Sequence, residues 1–97
     1  MPTYVSLVKF TDKGIEEIRQ AIARLEVAKV AFNAMGANLV SVYMTMGPWD
    51  AVVVVEAPDD ETAMKIELIN EFKGHVRSET FRAFTEDEYK KIIASLP

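Results

Sequence analysis

Residues 38–57 read NLVSVYMTMGPWDAVVVVEA. Both halves of that stretch are rich in β-branched, aromatic and long apolar residues, which suit a pleated strand, and Gly47, Pro48 and Trp49 interrupt them. The pattern predicts an antiparallel hairpin, residues 38–46 against residues 50–57. Upstream, Ile15, Ile18, Ile22, Leu25, Ala28, Phe32 and Met35 recur at steps of three and four, the spacing of one helix face, with Glu16, Glu17, Arg24 and Lys29 off that face. Thr11 or Asp12 caps the start and Gly36 supplies a left-handed stop, so one helix is expected over residues 13–35. Before it, TYVSLVKF at residues 3–10 is a strand.

Downstream of the hairpin, Pro58 and the acids Asp59, Asp60 and Glu61 open a second helix, because an Asp caps and the other carboxylates favour the positive end of the helix dipole. It runs to Phe72, and Lys73 and Gly74 end it. HVRSETFRAF at residues 75–84 alternates as a fourth strand does, placing His75, Arg77, Glu79 and Phe81 on one face. Thr85 and Glu88 then form a capping box ahead of Tyr89, Ile92, Ile93 and Leu96, a short amphipathic helix. The order strand, helix, strand, strand, helix, strand, with a C-terminal helix appended, is the split βαβ arrangement. The expectation is a single domain over residues 1–97, ferredoxin-like α+β, with an antiparallel four-stranded sheet and both main helices on one face.

Composition narrows the chemistry. The 97 residues are 49% hydrophobic and 27% charged, the balance of an ordinary globular domain. Eleven Lys and Arg against 15 Asp and Glu give net charge −4, the wrong sign for the phosphate backbone of nucleic acid or for an anionic membrane surface. No apolar run approaches the ~20 residues of a membrane span, and the start MPTYVSLVKF lacks the basic and apolar segments of a secretory leader. A cytoplasmic protein is expected. Without cysteine there is no disulfide framework, zinc-thiolate site or thiol nucleophile, and one histidine makes no metal cluster, so neither metal nor cofactor is expected.

If both helices cover one sheet face, the other should be polar where it meets water. Val52 to Val55 run without interruption, and the second strand offers Val40, Val42, Met44 and Met46 on one side with Leu39 and Tyr43 on the other. Both faces are apolar. Four strands of this length present roughly 500 Å² of face, a patch size that calls for a partner. A homodimer or higher oligomer formed through the sheet face is the expected assembly.

The string Met46-Gly47-Pro48-Trp49-Asp50, followed by four valines and by Glu56, Ala57, Pro58, Asp59 and Asp60, resembles the signature of the GYD-domain family, whose namesake Gly-x-Tyr-Asp precedes a valine-rich strand. The likeness extends through Tyr4 to Gly14 and through Gly74-His75-Val76-Arg77-Ser78-Glu79-Thr80, nearly the whole chain. Trp49 stands where the family usually shows Tyr, and the first helix lacks the family's basic, Pro-containing start. The resemblance implies a dimeric α+β-barrel relative in a family with no agreed biochemical function. The Gly-x-x-Asp turn, with Gly74, Val76 and Thr80 in the last strand, is also loosely similar to the effector-binding domains of Lrp/AsnC regulators. That similarity implies a stand-alone module binding a small metabolite between subunits.

Candidate site residues are few. The turn Gly47 to Asp50 has a structural role first, Asp50 accepting bonds from turn amides, while Trp49 at the tip is an aromatic anchor for a ligand or a neighbouring subunit. His75 follows Gly74 at the start of the last strand and, as the only histidine, is a candidate general base. Arg77 beside Glu79 suits either an edge strand that resists pairing or a seat for a carboxylate. Tyr4 and Tyr43 carry hydroxyls amid apolar neighbours, the few polar groups a small cavity needs. Tyr4, Tyr43, Trp49, Asp50, His75 and Arg77 therefore form the expected ligand site, completed across a two-fold axis where strand ends do not converge within one subunit. The acids Asp59 to Glu61 are explained by the helix start, and the methionines by core filling. A small-molecule binding or regulatory module is the first reading. The alternative is a cofactor-poor enzyme, monooxygenase- or isomerase-like, acting on a small hydrophobic or aromatic substrate.

Overall fold

A computed structural model describes all residues 1–97. The chain runs β1 (Thr3–Phe10), α1 (Asp12–Glu16), a 3₁₀ turn (Ile18–Gln20), α2 (Ala21–Ala34), β2 (Asn38–Met44), β3 (Ala51–Glu56), α3 (Asp60–Glu71), β4 (Val76–Ala83) and α4 (Glu86–Ala94). The four strands form one antiparallel sheet in the order β2-β3-β1-β4, so the fold is ferredoxin-like α+β. The expected caps are in place. Thr11 Oγ1 accepts from Gly14 N–H, Asp59 accepts from Thr62 N–H, and Thr85 and Glu88 bond each other's backbone amides. No helix is long and apolar enough to cross a membrane.

Three local expectations are corrected. The first helix is broken at Glu17, whose φ and ψ of −103° and 24° leave the helical region. Its carbonyl turns to accept from Gln20 N–H at 3.0 Å and from Arg24 Nη1 at 2.9 Å, and its carboxylate meets His75 Nε2 at 2.9 Å. The apolar steps of three and four continue across a 3₁₀ turn, so periodicity carries no signal of the break. Glu17 and Arg24, expected to face away from the sheet, thus turn toward β4 and the interior. In β2 the pairing shifts between Leu39 and Ser41, a bulge that puts Leu39, Val42 and Met44 opposite Val55, Val53 and Ala51 on one face and leaves Tyr43 on the other; the strand also ends at Met44. His75 precedes β4, and the alternation that grouped it with Arg77 does not reach it.

Register assigns the two faces. Tyr4, Ser6, Val8 and Phe10 of β1 point with Val53 and Val55 toward the helices, while Val5, Leu7, Val52, Val54 and Phe81 point away. The compact part of the core lies at one end, where Tyr4, Phe32, Val55, Ala57, Ala63 and Ile66 close on one another. From there α2 leans on β2 and α3 on β4, the two edges of the sheet. α4 has no buried residue, and its Tyr89, Ile92 and Ile93 stand exposed on a molecule 52 Å long and 18 Å thin.

Candidate functional site

Because the helices sit over opposite edges, the central strands β1 and β3 form the floor of a trough rather than the base of a packed core. The resulting cavity measures about 840 Å³, within the range that holds small molecules. Val8, Val53 and Val42 line its floor, and Leu25, Ala28 and Ile66 its helical walls. Ile22 of α2 and Phe72 at the end of α3 also line it, yet they are 69% and 74% exposed, so apolar surface continues to its mouth. Polar groups are sparse and mostly paired. Ser6 and Thr80 bond side chain to side chain at 2.7 Å on the floor. Ser78 gives its N–H to Glu71 Oε1 at 2.8 Å and its hydroxyl to the same oxygen at 3.0 Å.

At the packed end Tyr4 is buried, and its hydroxyl donates to Asp60 Oδ1 at 2.5 Å. Burial, then the bond to Asp60 and that carboxylate's charge, push the phenol up to about 12. At the open end the polar groups form a chain. His75 lines the cavity, and its Nε2–H donates to the Glu17 carboxylate, which can only accept when ionised. The Glu17 carbonyl in turn holds Arg24 Nη1. Arg24 Nη2 is buried with no partner, and Arg24 lines the cavity.

The six residues expected to form one site are thereby divided. Tyr4 and His75 both border the cavity but belong to its opposite ends, since Tyr4 pairs with Val55 and Arg82 while His75 follows the far end of β1, its carbonyl accepting from Thr11 N–H at 3.1 Å. Asp50 is part of the hairpin and accepts from Phe10 N–H at 2.8 Å through Oδ2. Trp49 is half-buried in the turn, where its carbonyl accepts from Thr45 Oγ1 at 2.6 Å. Tyr43 and Arg77 lie on the outer face, Arg77 opposite Lys9. Asp50, Trp49, His75 and Arg77 thus share the Phe10 end of the sheet on different faces.

The family model of the GYD domain matches residues 4–93. The chain belongs to the GYD-domain family. Among curated proteins, this GYD domain is similar to the "Glutamine synthetase and cystathionine beta-lyase binding protein" of Thermus thermophilus, with 34% identity over 84 residues that cover 86% of this chain and 88% of that protein. The Gly47 to Asp50 turn and the valine strand carry the family resemblance in sequence; in this GYD domain the strand lends Val53 and Val55 to the cavity, while the turn does not line it. Arg24, Glu17 and Gly14 were not among the residues expected at a site. The signal that could have found them was a stripe at helical spacing, Glu17, Ala21, Arg24, Ala28, in which two charges alternate with alanines small enough to let them approach the sheet.

Proposed function

We propose that this GYD domain is a cytoplasmic homo-oligomeric binding module that holds a small, mainly apolar molecule between its sheet and its helices. The supporting observation is the cavity of about 840 Å³, apolar on floor and walls, with few polar groups and one buried guanidinium nitrogen unpaired. The relative's name, which speaks of two bound enzymes, supports a protein that works by binding. A cysteine-free chain of net charge −4 suits the cytoplasm. The outer sheet face supports self-association, for Val5, Leu7, Val52 and Val54 are flanked there by the exposed Tyr43 and Phe81. Titration with the neutral apolar fluorophore N-phenyl-1-naphthylamine tests the binding reading. Saturable binding at one probe per chain is expected, and weak, non-saturating partition would overturn it.

One observation favours a second reading, an enzyme. The His75–Glu17 pair beside an apolar cavity is a base held by a carboxylate, the arrangement general base catalysis uses. Oxygen uptake with a panel of phenols and quinols, abolished by His75→Ala, is the result this reading requires.

A further inference from the structure

Arg24 is the one side chain with a buried polar atom that nothing in the fold satisfies. Its Nη1 is committed to the Glu17 carbonyl at 2.9 Å, which anchors the guanidinium at the open end of the cavity, while Nη2 has no acceptor. Buried donors are almost always paired, and a charged one left open is costly. Of the nearby carboxylates, Glu17 bonds His75 through Oε2 and Glu71 bonds Ser78 through Oε1. Glu67, the acidic side chain in the cavity wall, lies 3.5 Å from the Ser78 hydroxyl. None of these carboxylates bonds Nη2, and because Arg24 lines the cavity, an acceptor held there by a ligand is the partner Nη2 lacks. Leu25, Ala28, Val53 and Ile66 of the lining offer apolar contact to the remainder of a molecule that carries this acceptor.

We infer that the cavity takes an amphiphilic monocarboxylate, its carboxylate on the Arg24 guanidinium at the mouth and its apolar tail along the trough toward Tyr4. This deepens the binding-module reading and rests on it. An ionised carboxylate matches the planar donor fork of arginine, and the bond is formed in a poorly hydrated place where it is strongest. Lys73 is a second cation of the wall, set against the Glu67 carboxylate of the same wall. A neutral alcohol offers Nη2 only an uncharged acceptor, and a quaternary ammonium offers none.

Displacement of N-phenyl-1-naphthylamine at pH 7 by decanoate, decanol and decyltrimethylammonium tests the assignment. Decanoate is expected to bind about tenfold or more tightly than decanol, the size of one charge-assisted hydrogen bond, and the ammonium most weakly. In Arg24→Met the acid loses that advantage while decanol binds as before; Arg24→Lys, which keeps the charge without the fork, retains part of it. Equal binding of acid and alcohol by the wild-type protein, with the fluorophore saturating normally, overturns the carboxylate assignment and leaves the binding module intact. A preference that survives in folded Arg24→Met also overturns it, since another cation would be reading the acid. Failure of the fluorophore itself to saturate overturns both readings.

Discussion

Asp50 ties the β2–β3 turn to the end of β1 by accepting the Phe10 N–H at 2.8 Å, a bond to a charged acceptor across 40 residues of chain. Such a bond contributes about 1.5–3 kcal/mol. Asp50→Ala is expected to lower the unfolding free energy in urea by about 1–3 kcal/mol, and Asp50→Asn, which keeps an acceptor oxygen, to restore much of it. Tyr4 makes a prediction in pH. Its phenol is raised to about 12 from 10.0, so the buried, protonated form contributes stability in full below pH 10 and loses it as pH rises from 10 toward 12. Tyr4→Phe should therefore be less stable than wild type at neutral pH by the loss of the Asp60 bond, with the difference shrinking above pH 10; a constant difference across that range would refute the coupling. Asp50 as a structural acceptor was legible, because Asp beside Gly and Pro is turn chemistry. The Tyr4–Asp60 bond was not, since it joins residues 56 apart and depends on strand register.

Elements were legible where local chemistry decides and illegible where tertiary contact overrides it. The hairpin, α3 and α4 follow from turn residues and caps that lie within a few positions of one another. The break after α1 does not, because its cause is the approach of Glu17 to His75, 58 positions away. Gly14 belongs to the same approach. A Cβ at that position would collide with the His75 carbonyl, so α1 lies on the start of β4 only because residue 14 is glycine. Gly14→Ala is expected to cost about 1–3 kcal/mol or more by overpacking, and to disturb the His75 ring signals by NMR. α4 answers to acid instead. Glu88 is held below its ordinary range by its bond from Thr85 N–H, so its cap is intact above the usual value of 4.5 and is lost as pH falls through the lowered one. Amide shifts of Glu86–Ala94 should move toward coil in that window, and Glu88→Gln should remove the response.

The whole molecule has two apolar surfaces left by the same topology, one outside the sheet and one inside. On the outside, Val54→Lys puts a charge among Val5, Leu7 and Phe81, and the expected result is a concentration-independent mass near the 10.9 kDa of one chain, against the dimer or larger species expected of wild type in sedimentation. The inside surface was illegible in the sequence for a physical reason: periodicity tells which residues face inward, not whether the helices meet above them. A sealed void of about 840 Å³ would cost on the order of 20 kcal/mol at ~24 cal/mol per Å³, more than the ~5–15 kcal/mol by which a domain is stable. The trough must then stay open to solvent or to a ligand, as the exposed Ile22 and Phe72 at its mouth indicate. Stability and binding are accordingly opposed here. Ala28→Leu with Val53→Phe adds apolar volume to the trough at two positions that border the compact core, and is expected to raise stability by about 0.5–2 kcal/mol while abolishing saturable uptake of the apolar fluorophore. If the filled variant were destabilised and still bound the probe at one per chain, the space between helices and sheet would not be where the molecule is held.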